Sequence, residues 1–119
     1  MSADVELTVG DADTAIAHHS GDVPVLATPR LVALAEEAAM AAVANRLKPD
    51  ETSVGMRVQF DHLAPTAVGV RVRAEATLEK VEGRRLTFTV SISDPRGLVG
   101  AGRITRVIVN TERFVEKAQ

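Results

Sequence analysis

The chain has 119 residues, 45% of them apolar and 25% charged, which suits one domain with one core, so residues 1–119 are read as a single domain. A formal charge of −2 and only three aromatic residues, all Phe, offer neither a basic footprint nor a stacking platform for nucleic acid, and the lack of cysteine excludes disulfides and thiolate metal ligands. No apolar run reaches the length of a membrane span, and the acidic first twenty residues carry no secretory pattern, so a cytoplasmic protein without membrane or nucleic-acid partners is expected.

In chain order, "DVELTV" and "TAIAHH" have weak strand character, with turns expected at "GDADT" and "HHSGDVP". The one long helical signal is "TPRLVALAEEAAMAAVANRLKP", with Thr28 placed as N-cap, Pro29 at the first helical position and Pro49 closing the far end. Its alanines let neighbouring backbone pack close. Strand runs follow: "SVGMRVQFDHLA", "GVRVRAEATLEKV" joined through Glu82-Gly83 to "RRLTFTVSISD", and "LVGAGRITRVIVN". Leu86, Phe88, Val90 and Ile92 alternate with Thr87, Thr89, Ser91 and Ser93, as in a sheet covered by a helix on one face. The fold class is α+β.

Within these elements three residues stand out. At about 100° per residue from Leu31, Glu37 falls at ~240° beside Arg30, whereas Glu36 falls at ~140° among Val32, Val43 and Leu47. A carboxylate on an apolar stripe carries a desolvation cost unless it is paired or protonated, so Glu36 is either a catalytic acid or base, or a structural group capping backbone or pairing an arginine. Met56, Val58, Phe60 and His62 share strand parity, which puts His62 on the core side and Asp61 on the other; such a histidine is either hydrogen-bonded core or a proton-transfer group. Thr28 is accounted for by capping, with a functional role as the alternative. His18 and His19, adjacent on an expected strand, point apart and make no metal site. The glycines of "GLVGAG" precede a β-branched run, not a helix, and so mark a bulge or a close backbone approach instead of a phosphate loop.

Taken together, "VLATPRLVALAEEAA", "TSVGMRVQFDHLAPTAVGVRVRAEATLEKVEGRRLTFTVSISD" and "GAGRITRVIV" resemble the hotdog-fold thioesterases of the fluoroacetyl-CoA thioesterase type, over roughly Val23 to Phe114. The resemblance implies a hotdog fold, an antiparallel sheet wrapped around one long helix. It also implies dimers joined edge to edge, with acyl-CoA sites at their interface. The family's threonine, glutamate and histidine fall on Thr28, Glu36 and His62, and Gly55 matches a glycine whose backbone meets the acyl end of the substrate. Eight helical residues span about 12 Å, so Thr28 and Glu36 do not touch along one helix, and a loop or a second chain has to join them. "HHSGDVPVLAT" lacks the aromatic lid of the fluoroacetyl-specific member, so fluorine selectivity is not expected; Ile104 stands where the family often has a histidine, so no histidine-dependent contribution is expected at that point.

The function implied is hydrolysis of a small acyl-CoA thioester to free acid and CoA. Glu36 would act as nucleophile or water activator, His62 would transfer protons, Thr28 would orient, and no cofactor is needed beyond the CoA of the substrate. Arg84 and Arg85 at the hairpin either meet CoA phosphates or form a solvated surface. A homodimer, or a dimer of dimers, is the expected assembly. The competing readings are a noncatalytic acyl-CoA or small-ligand binding dimer and an enoyl-CoA hydratase or dehydratase. The second suffers because Asp61 and His62 point apart.

Overall fold

A computed structural model describes all 119 residues. Its main helix, α1 (Thr28–Val43), buries Leu31, Leu34, Ala35, Ala38, Ala39 and Val43, the spacing of one face of a 3.6-residue helix. Three of these six are alanines with no exposed surface, so α1 lies close on the sheet, mainly over strands β1 (Ser2–Thr8) and β3 (Arg71–Glu82). The sheet is completed by β2 (Glu51–His62), β4 (Arg85–Asp94) and β5 (Gly97–Asn110), in the antiparallel order β1-β3-β4-β5-β2. The β4 alternation is as read: Leu86, Phe88, Val90 and Ile92 are buried under the helix and the hydroxyl residues face outward. Full burial of each large apolar side chain here is worth about 1.5–3 kcal/mol.

Several local expectations are corrected. Residues 14–20 are not a strand: after an isolated bridge from Thr14 to Leu26 the chain turns, and His19 has φ 55°, outside strand geometry. The helix cap is Ala27, not Thr28, since Leu31 N–H donates to Ala27 O and no side-chain cap forms; Thr28 and Pro29 are the first two helical residues. The α-helix ends at Val43, followed by a 3₁₀ turn at Ala44–Arg46, short of Pro49. The β3–β4 hairpin turns at Gly83 and Arg84, because Glu82 pairs with Arg85. A short C-terminal helix, α2 (Thr111–Lys117), was not expected; the Asn110 side chain caps it by accepting from Arg113 N–H.

The edge strand β2 departs from simple alternation. Its register against β5 shifts between Gly55 and Arg57, so Met56 is the extra residue of a β-bulge. On the C-terminal side of the bulge Val58, Phe60 and His62 pair with Ile104, Gly102 and Gly100; on the N-terminal side Gly55 and Ser53 pair with Arg106 and Ile108. The slip therefore puts odd-numbered residues before it and even-numbered residues after it on one face, the face toward α1. Phe60 packs against the core, but Met56 and Val58 remain 49% and 43% exposed, contrary to the core placement read from parity. The reason is coverage: α1 sits over the other half of the sheet. Gly100 and Gly102 are the close approach expected of "GLVGAG", since a Cβ at either would lie within 3 Å of the Phe60 ring.

Candidate active site

Two polar clusters lie on the helix-facing side of β2. The first joins the start of α1 to the end of β2, where Thr28 Oγ1 and His62 Nδ1 are 2.8 Å apart. Because Ala27 takes the cap position, the Thr28 hydroxyl is free to hold the imidazole. Burial pushes the His62 imidazole below its ordinary value, with the Ala64 backbone partly opposing, a shift toward the uncharged ring. Its Nε2 is buried and has no protein partner. A cavity of about 300 Å³ opens beside the pair, lined by Ala15, Val23, Val25 and Leu26 together with Thr28 and His62.

The second cluster is centred on Glu36, halfway along α1. Arg106 on β5, only 5% exposed, donates from Nη1 to Glu36 Oε2 at 2.7 Å, from Nε to Ser53 Oγ at 2.9 Å and from Nη2 to Ser53 O at 2.7 Å. Burial draws the Arg106 guanidinium down from its ordinary range, and the Glu36 charge pulls it back up. Glu36 itself keeps 31% of its side chain exposed, so one face of the carboxylate is open while the other is tied. Glu37, by contrast, is half exposed beside Arg30, as the helical wheel placed it. Gly55 forms the other wall: a Cβ there would stand 2.5 Å from Glu36 Oε2, so only glycine leaves the carboxylate room.

The structure thus brings Thr28 to His62 and Glu36 to Gly55, but it does not bring the two pairs together within one chain. Six residues of β2 lie between Gly55 and His62, and with Met56 bulged out of the ladder the remaining steps span about 20 Å of strand. Asp61 is exposed and faces away from His62. Arg84 is engaged with Glu51 Oε2 at 3.2 Å, whereas Arg85 has no ion-pair partner and faces outward from the sheet. Arg106 was missed at the sequence level, although its parity with Ile104 and Ile108 on β5 marks a charge on the buried face.

Comparison with known proteins agrees with this architecture. Residues 9–112 match the family described as fluoroacetyl-CoA-specific thioesterase. The chain is 38% identical over 95 residues to the fluoroacetyl-CoA thioesterase of Streptantibioticus cattleyicolor, spanning 80% of this chain and 68% of that protein. A solved structure of the fluoroacetyl-CoA thioesterase FlK superposes with a TM-score of 0.95 at 31% identity, covering 99% of this chain and 92% of that one. A thioesterase superfamily member from Thermus thermophilus gives 0.89 at 30% identity, covering 98% and 86%. An antiparallel sheet wrapped around one long helix, together with these matches, places the chain among the hotdog-fold thioester hydrolases. Within that class, the chain belongs to the fluoroacetyl-CoA-specific thioesterase family.

Proposed function

We propose that the protein hydrolyses small acyl-CoA thioesters to the free acid and CoA, at two equivalent sites built jointly by two copies of the chain. The observation that carries this reading is the division of the machinery into two half-sites on one face of one edge strand. β2 is a long unpaired edge with Met56 and Val58 exposed, the kind of edge that has to be covered. Antiparallel pairing of β2 with a second copy, about a two-fold axis near Gln59, sets His62 of either copy opposite the Gly55–Met56 bulge of the other. Facing residues in paired strands lie about 5 Å apart, so the gap of about 20 Å closes and both half-sites are completed at once.

In such a site the Glu36 carboxylate, held by Arg106, adds to the thioester carbonyl or orders the attacking water. The bulge leaves backbone N–H out of the ladder beside Gly55, where it can polarise the carbonyl oxygen. In direct attack His62, oriented by Thr28, takes the water proton at Nε2 and returns it to the departing thiolate, so C–S breaks, C–O forms and the proton ends on sulphur; where Glu36 adds first, the thiolate leaves from a Glu36 anhydride, and the water that then cleaves the anhydride supplies that proton through His62. CoA enters only as part of the substrate. A known relative, the FlK thioesterase, has been solved as a variant with fluoroacetate and CoA bound, and it is 32% identical to this chain. The cavity beside Thr28 and His62 is small and aliphatic, without an aromatic side chain, which favours a short aliphatic acyl group and gives no basis for selecting fluorine.

The test is free-thiol release from a panel of acyl-CoAs by wild type, Glu36→Ala and His62→Ala, and by the two variants refolded together. Each variant alone is expected to be nearly inactive. Mixed dimers contain one intact site, so refolding equal amounts together should restore about a quarter of wild-type activity. Variants that turn over like wild type would remove the proposed catalytic roles. Inactive variants that do not complement would remove the shared site.

A further inference from the structure

We propose a second binding site, for a phosphate-bearing anion, on the outer face of the sheet, opposite to the face that carries Glu36 and His62; it does not depend on the catalytic reading. Strand register builds it. Arg57 on β2 pairs with Thr105 on β5, Thr105 with Thr87 on β4, and Thr87 with Lys80 on β3, so these four residues form one row across the sheet, facing outward. Two positions along β5 from Thr105 stands Arg103, and two along β4 from Thr87 stands Arg85, both on the same face. The result is a pair of neighbouring threonine hydroxyls with a cation on each of four sides. Strands lie about 4.8 Å apart and alternate residues along a strand about 6.6 Å, so every one of these cations can reach over the hydroxyls.

These residues, with Gln59 and Glu82, line a groove of about 230 Å³. Within one chain its charge balance is four cations against one carboxylate, in a chain whose net charge is −2; in the proposed dimer the second copy's Asp61, facing Arg57 across the axis near Gln59, adds one carboxylate at the rim. Glu82 is paired with Lys80 at 3.5 Å, while no carboxylate of the chain lies within 4.0 Å of Arg57, Arg85 or Arg103. Like charges on adjacent strands repel, so the grouping gives nothing to the fold. Guanidinium groups that present planar pairs of donors, supported by hydroxyls and an amide, are suited to phosphate oxygens. Two sources share that chemistry: the nucleotide end of a CoA molecule, or a free nucleotide.

Calorimetric titration with ADP at low salt tests the proposal. Binding is expected, weakening as salt is raised; it should fall about tenfold in Arg103→Gln/Lys80→Gln and tighten in Glu82→Gln, which removes the chain's own opposing charge beside Lys80. Opposite responses of two surface variants cannot arise from misfolding. Competition of CoA with ADP, together with a raised KM for acyl-CoA in the Arg103→Gln/Lys80→Gln variant, would identify the CoA nucleotide as the occupant. ADP binding with unchanged KM would identify a separate nucleotide site. No heat with ADP, or affinities equal in all three proteins, would overturn the proposal.

Discussion

Deleting the Glu36 carboxylate should unbalance a buried ion pair, and the structure allows the size of the effect to be worked out. Arg106 uses three donors, two on Ser53 and one on Glu36, and Glu36 is the only carboxylate that reaches it. Breaking a fully enclosed pair costs roughly 3–5 kcal/mol; because 31% of the Glu36 side chain is exposed, solvent relieves part of this, and Glu36→Ala should cost about 2–3 kcal/mol. For a domain of this size that is a fall in Tm of roughly 6–15 °C. Glu36→Gln keeps an acceptor for Arg106 Nη1 and should lose about half as much. Glu36→Ala/Arg106→Met leaves no buried charge and should regain much of the stability lost by Glu36→Ala. Arg106→Met alone keeps the carboxylate but lets it swing, so kcat should fall by about 10²-fold with KM little changed. Urea titrations followed by circular dichroism give the stabilities and thiol release gives the rates. A Glu36→Ala protein within about 0.5 kcal/mol of wild type, or an Arg106→Met enzyme with full kcat, would refute the assignment of Arg106 as the group that fixes Glu36.

Gly55→Ala should lower kcat by about 10²-fold, because its Cβ would stand 2.5 Å from Glu36 Oε2 and displace the carboxylate; a thiol-release assay on a protein of near-normal Tm checks it. Thr28→Val removes the 2.8 Å bond to His62 at nearly constant shape, costing about 0.5–1.5 kcal/mol of stability and roughly tenfold in kcat, with Thr28→Ser restoring most of both. The pH profile of kcat/KM should rise with a midpoint below 6.5 and stay flat through neutrality, since His62 works as the free base and burial holds it down. The same shift links to folding. A depressed imidazole contributes stability that is fully present above pH 6.5 and is lost as pH falls through the folded-state value, and His62→Gln should abolish that dependence in urea titrations across pH 5–8.

Much of this arrangement can be read before any coordinates exist, and the parts that cannot share a physical reason. The β4 alternation, the helix face and the separation of Glu36 from Glu37 depend on local periodicity, which the chain displays directly. Local sequence explains the Thr28 hydroxyl by capping, because Thr before Pro satisfies that rule, and only the family resemblance gives it another role; the true cap lies one residue earlier, and the hydroxyl meets a histidine 34 positions away. Arg106 escaped notice because its partners, Ser53 and Glu36, come from other elements, although its parity with Ile104 was visible. The turn at residues 14–20 has strand-like composition, and only the positive φ of His19 and the pairing to Leu26 reveal it. Arg84 and Arg85 are equivalent in sequence; the hairpin register turns the first toward Glu51 and leaves the second free.

The bulge at Met56 is the least legible feature and the one on which the site turns. Gly55 and His62 are seven residues apart, and strict alternation would send them to opposite faces of β2. Inserting one unpaired residue reverses the parity between them, so that the glycine wall of Glu36 and the imidazole held by Thr28 both face the helix. The periodicity of this strand does not mark the slip, because apolar Val54, Met56, Val58 and Phe60 alternate straight through it, and only the count against β5 reveals it. An edge strand that carries both halves of a divided site on one face has that face open where a second chain would complete it.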